Sequence, residues 1–112
     1  MKVIWHSQAK KGRMQVAAYI RKWFGIDRVK TFRQEVDKTA KLLQSHPNLD
    51  PIDPLFNDRS QTYRSVIING LSKMVYRIDR DIIHIVGFWD CRREPKKQAE
   101  QTIANNDPAD LR

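Results

Sequence analysis

The dipeptide Asn69-Gly70 constrains the fold more than any other feature of the chain. Both residue types tolerate φ > 0, which a tight two-residue hairpin turn requires at both central positions. Runs of strand character lie on either side, Tyr63–Asn69 and Lys73–Asp79. Together they predict an antiparallel hairpin. Arg80 and Asp81 mark a second, weaker turn, and a third run, Asp81–Asp90, follows it. Its segment Ile82-Ile83-His84-Ile85-Val86-Gly87-Phe88-Trp89 is apolar on both faces, as a central strand covered on both sides must be.

Upstream, Lys2–Trp5 reads as a short strand and Ser7 as an N-cap. From Gln8 to Phe24, Val16, Tyr19, Ile20, Trp23 and Phe24 recur at helical spacing, with Lys10, Lys11, Arg13, Arg21 and Lys22 on other faces. Gly25 suits the position just past a helix end. Asp27 is expected to cap a second helix, from Arg28 to about Ser45, striped by Val29, Phe32, Val36, Ala40 and Leu43. Pro47 disfavours the α conformation at His46 and ends it. Helices joined so tightly are antiparallel neighbours, and their stripes most simply cover one sheet face. Asn48–Ser60 reads as an acidic loop carrying Asp50, Asp53 and Asp58, pinned by Leu55 and Phe56. The expected order is β-α-α-β-β-β, an α+β fold in which a helical hairpin packs on a small, mainly antiparallel sheet. Residues 1–96 form the domain. Residues 97–112 form a polar tail, expected to be flexible or helical around Gln98–Ala104 only when held.

The chain has 112 residues, enough for one domain burying about 65% of its unfolded surface. The net charge is +8. From Pro95 to Arg112, Lys96, Lys97 and Arg112 cancel Glu100, Asp107 and Asp110, so the whole excess lies on Met1–Glu94. A compact domain this basic favours a polyanion or an acidic protein as partner; solubility alone is the plainer explanation. Cys91 is the only cysteine, which excludes an intrachain disulfide and points to a reducing compartment. The opening residues do not form a signal peptide, and no apolar run approaches about 18 residues. The expectation is a cytoplasmic protein without a membrane partner.

Few groups suggest catalysis. His6, His46 and His84 stand in three separate elements with no partner at metal-ligand spacing, so no metal is expected. The four glycines are isolated, no phosphate-cradling loop is present, and no cofactor is expected. His84, in the most buried strand, reads as structural before catalytic. Cys91 adjoins Arg92 and Arg93, which would lower its thiol pKa, but it has no evident base. The arginines say more. Alternation places Arg64 on a face with Val66 and Ile68, and Arg77 on one with Lys73 and Val75. A guanidinium among apolar neighbours needs an anion or a route to solvent. For Arg77, an internal pair with Asp79, Asp81 or Asp90 is an equal alternative. Arg64, at a strand start, suits a rim position facing a ligand. Arg92, Arg93, Lys96 and Lys97 form a basic cluster that either holds a phosphate backbone or is a solvated exit segment.

The sequence resembles the RelE/ParE superfamily of bacterial toxins, from type II toxin–antitoxin (plasmid stabilisation) modules. The resemblance covers Lys2 to about Lys97. It is carried by Val3-Ile4-Trp5-His6-Ser7-Gln8-Ala9, by the helical hairpin ending in Leu42-Leu43 and His46-Pro47, and by the strands Tyr63–Ile67 and Met74–Ile78. The best match is Ile83-His84-Ile85-Val86-Gly87-Phe88-Trp89-Asp90-Cys91-Arg92-Arg93-Glu94-Pro95. It implies a small α+β toxin held inactive by a cognate antitoxin with an apolar, acidic segment, in a complex that binds promoter DNA mainly through the antitoxin.

Within that family the mode of action divides. RelE-like members cut mRNA on the ribosome, which requires an activated 2′-OH, stabilised phosphate charge and a protonated leaving oxygen. Arg64 matches the arginine such toxins carry at the start of the first hairpin strand. The acidic preceding loop and the ending Asp90-Cys91-Arg92, without Tyr or His, depart from their pattern. ParE-like members instead bind and poison DNA gyrase. The expectation is a gyrase-binding toxin. The alternative is a metal-independent endoribonuclease using Arg64 on the phosphate, assisted by Arg77 and Arg92, with His84 or Tyr76 moving the proton. A further alternative is a non-toxic basic nucleic-acid-binding domain.

Overall fold

The computed structural model describes residues 1–56, 61–92 and Thr102. The elements are β1 (Lys2–Trp5), α1 (Ser7–Phe24), α2 (Ile26–Ser45), a 3-10 turn (Pro54–Phe56), β2 (Tyr63–Ile68), β3 (Ser72–Asp79) and β4 (Ile82–Asp90). This is the expected β-α-α-β-β-β order. The sheet order is β1-β4-β3-β2. β1 runs parallel to β4, and the other two pairings are antiparallel. β4 is therefore a central strand, as its two-sided apolar text requires.

The turns form where the sequence allows left-handed backbone. Asn69 and Gly70 have φ of 58° and 65°, and Leu71 N–H closes the turn on Ile68 O at 3.2 Å. Arg80 takes φ 54° in the second turn. A single residue, Gly25 at φ 90°, joins the helices, and its N–H caps α1 on Arg21 O. Two predicted caps move. His6 precedes α1, with Ser7 its first helical residue, and Gly25 precedes α2, with Asp27 inside its first turn. The acidic charge of Asp27 still favours the helix start.

Both helices cover one sheet face. Ala9, Val16 and Ile20 of α1 and Val29, Phe32, Val36 and Leu43 of α2 are buried with Ile68, Met74, Tyr76, Ile83, Ile85 and Phe88. α1 lies so close to β4 that a Cβ on Gly12 would stand 1.8 Å from Phe88 O. The opposite face has a smaller core of Phe56, Tyr63, Val75, Val86 and Trp89, with Leu55 packed against it. Leu55 and Phe56 thus pin their segment as expected. Ile52 bridges to Arg64, so the segment also covers part of the β2 edge.

A β-bulge falls where Val75 pairs with Gly87 while Tyr76 pairs with Ile85. Val86 is the extra residue. The shift turns Ile85 and Phe88 towards the helices and Val86 and Trp89 towards the other face. Thr102 is helical and fully buried, and its hydroxyl lies 3.1 Å from where a Gly87 Cβ would stand. The rest of 97–112 lies outside the described residues.

Candidate functional site

The four residues named for catalysis divide into two pairs, on opposite sheet faces. Arg64 and Tyr76 are directly paired across β2 and β3, so their side chains share the helix-covered face. Tyr76 is fully buried, and its hydroxyl lies 3.2 Å from Pro47 O and 3.1 Å from Asp50 Oδ2, donating towards this acceptor pair. Arg64 Nη1 donates to Asp50 O at 2.7 Å. Burial, then the Asp50 charge, raises the Tyr76 pKa well above the ordinary tyrosine value. Burial also raises that of Asp50, opposed by the Tyr76 hydrogen bond and the Arg64 charge. The cluster fastens the chain after α2 to the sheet, and its phenol is a poor proton donor near neutral pH. Arg64 also lines a shallow cleft of about 200 Å³ with Asn48, Thr62 and Ile78.

Arg77 and His84 are paired across β3 and β4 on the other face. His84 Nδ1 lies 2.8 Å from His6 Nε2. This corrects the expectation of three isolated histidines. The parallel pairing of β1 on β4 carries His6, just past the strand, to His84 although 78 residues separate them. Burial lowers the His84 pKa, and the Arg77 and His6 charges lower it further, against a smaller upward pull from Asp79. Arg77 reaches Asp79, one of its three candidate partners, at 3.8 Å, and Asp79 is itself well exposed. One sheet thickness separates this group from Arg64 and Tyr76, so the four do not surround a common reacting phosphate.

At the end of β4, Arg92 is committed locally. Its Nη2 meets Asp90 Oδ2 at 2.6 Å, its Nε meets Oδ1 at 3.0 Å, and its guanidinium lies 5.0 Å over the Tyr19 ring. These hydrogen bonds raise its pKa. Arg93, Lys96 and Lys97 lie outside the described residues. Cys91 reverses expectation: burial and then the Asp90 charge raise its thiol pKa, outweighing Lys73 and leaving no activated thiolate.

Two features escaped sequence reasoning. Asp53, buried in the pinned loop, accepts a hydrogen bond from Leu55 N–H and pairs through Oδ2 with Lys73. Lys73 also lies 5.9 Å from the centre of the Trp89 ring. A lysine on the same face as a core tryptophan was the available signal. The second feature is an exposed apolar tip on the helical hairpin, Trp23, Phe24 and Ile26 among Arg21, Lys22 and Arg28. The helical stripe had suggested that Trp23 and Phe24 were core.

Among the described residues no cluster of His, Cys, Asp or Glu could hold a metal, and no helix is long and apolar enough to cross a membrane. No protein family profile and no curated protein matches the chain in sequence. Among solved structures it is similar to a chain of the chromosomal ParDE TA (toxin–antitoxin) system from P. aeruginosa. The TM-score is 0.66 at 15% identity, over 80% of this chain and 95% of that one. At that identity the likeness is one of fold: two helices on a four-stranded mixed sheet, the α+β architecture expected from the sequence.

Proposed function

We propose that the chain is the toxin of a type II toxin–antitoxin pair, neutralised by a cognate antitoxin, and that it acts by binding and poisoning DNA gyrase. The likeness in fold to a chain of the ParDE TA system carries this reading, because it extends over 95% of that chain. The distribution of polar groups supports a binder over a ribosome-dependent mRNA endoribonuclease. A nuclease gathers its base, acid and charge stabiliser around one phosphate. Here Arg64 and Tyr76 are turned away from Arg77 and His84, and the Tyr76 hydroxyl is engaged by Pro47 and Asp50. The apolar tip with its basic rim is the kind of surface a protein partner covers.

The test is inducible expression in a bacterial host, alone and together with the antitoxin encoded beside it. Growth arrest relieved by the antitoxin is the expected result. Promoter DNA is then bound by the complex, chiefly through the antitoxin. A folded chain that leaves growth untouched contradicts the proposal. If that harmless chain also binds free RNA or DNA with a steep salt dependence, it is a basic nucleic-acid-binding domain instead.

A further inference from the structure

We infer that Arg77, His84 and His6 form a binding site for a phosphate group, monoester or diester, on the sheet face opposite the helices. The inference stands apart from the toxin reading and needs no reaction at the site.

Arg77 is 9% exposed, and its buried Nε and Nη1 have no hydrogen-bond partner. Its ion pair with Asp79 spans 3.8 Å, too long for a hydrogen bond. A guanidinium held this way is costly, because its N–H groups have lost water without gaining an acceptor. Buried donors in folded proteins are nearly always satisfied, and a bound ion is one way to satisfy them. Beside Arg77 stands His84, and beyond it His6, whose rings touch at 2.8 Å. Three neighbouring strands or strand ends thus bring a permanent cation and two titratable rings together, beside the well-exposed carboxylate of Asp79. Burial is the main cause of the lowered His84 pKa, and the Arg77 and His6 charges push it down further.

The donor geometry selects the anion. A guanidinium offers two parallel N–H groups, which suit a pair of oxygens on one atom. A planar carboxylate is satisfied by that fork alone and leaves the rings unused. A tetrahedral phosphoryl group accepts from the fork and from an imidazole N–H together. Its charge would also favour protonating the histidine pair, whose rings are joined by a hydrogen bond.

The test follows the His84 and His6 ring signals and Arg77 Nε–H by NMR on the full chain. Inorganic phosphate, representing the monoester dianion, and a dinucleoside monophosphate, representing the diester, are titrated at constant ionic strength against chloride. Saturable shifts confined to these groups are expected with at least one phosphate probe, together with an upward shift of the His84 pKa. The probe that saturates assigns the site to its phosphate class. Losing a charge-assisted pair weakens binding about 10- to 100-fold in Arg77→Met. His84→Gln loses part of the affinity. Binding tightens as pH falls through the histidine range. Among the described residues, the titratable and charged groups on the strands around His84 are Arg77 and Asp79 from β3, Lys2 and the adjoining His6 from β1, and Tyr63 from β2 beyond Arg77. Shifts that chloride reproduces, or phosphate affinity unchanged in a folded Arg77→Met, overturn the inference. Should Arg77→Met not fold, Arg77→Lys keeps the charge and loses the fork. The site then requires weakened phosphate binding in Arg77→Lys and in His84→Gln, and unchanged binding in both refutes it.

Discussion

Replacing Gly12 by alanine tests the closest contact in the fold. Glycine in a helix is ordinarily a liability of roughly 0.5–1 kcal/mol relative to alanine, so propensity alone predicts stabilisation. The structure predicts the reverse. An added methyl at 1.8 Å from Phe88 O must move past 3.0 Å, the closest approach that real Cβ atoms show, a displacement of about 1.2 Å (3.0 − 1.8). The obstacle is backbone of a central strand, so α1 has to retreat. A gap of 0.5–1 Å forfeits a quarter to a half of the dispersion attraction across an interface. Val16 and Ile20 are buried on the retreating helix, and full burial of each contributes about 1.5–3 kcal/mol. Losing that fraction for both costs roughly 1–3 kcal/mol. Backbone shifts around Phe88 add about 1–2 kcal/mol, typical of overpacking. After subtracting the propensity gain, Gly12→Ala is expected to destabilise by about 1–4 kcal/mol. Urea unfolding followed by circular dichroism measures it, with the exposed Ala18→Gly as a control for propensity, expected near 1 kcal/mol. A Gly12→Ala chain as stable as the parent refutes the claimed contact between α1 and β4.

Four further outcomes follow from the polar clusters. Tyr76→Phe leaves Pro47 O and Asp50 Oδ2 without their donor, costing about 1–2 kcal/mol in urea unfolding and raising the Asp50 pKa further. Because the folded Asp50 pKa lies above its unfolded value of 3.8, Asp50 lowers stability as pH rises from 3.8 through the folded pKa; a carboxyl NMR titration at or below 3.8 contradicts this. His84 has a folded pKa below its ordinary 6.5, so its contribution is fully present above 6.5 and is lost as pH falls through the folded value. Unfolding curves from pH 7.5 to 5 read that loss, which Arg77→Met shrinks by removing a repulsive charge. Lys73→Met strands the buried Asp53 carboxylate and costs about 3 kcal/mol, most of it recovered by adding Asp53→Asn; additive costs in that double-mutant cycle would show that the pair is not coupled.

Local chemistry was legible and long-range contact was not. Asn69-Gly70, the Gly25 joint, the helix stripes and the two-sided text of β4 each encode their structure within a few residues. Alternation alone assigned Arg64 and Arg77 to their faces. The His6–His84 contact depends on β1 choosing β4 as its parallel neighbour, and no short window records that choice. The Val86 bulge was signalled only by Gly87, a glycine inside an apolar strand. For Cys91 the neighbouring arginines were visible, but burial and the orientation of Asp90 decide its pKa, and both are tertiary. Trp23 and Phe24 follow the helical period to the last turn of α1, yet both are exposed there, so at the helix end the period no longer means burial.

The most direct test of the proposed toxin is a pair of purified assays, DNA cleavage and supercoiling by gyrase beside translation of a defined mRNA, with parent and Arg64→Ala chains. The account predicts trapped gyrase–DNA breaks with translation intact, and the same behaviour in folded Arg64→Ala. Loss of translation with new mRNA ends, abolished by Arg64→Ala while gyrase is unaffected, would contradict it and establish the ribonuclease instead.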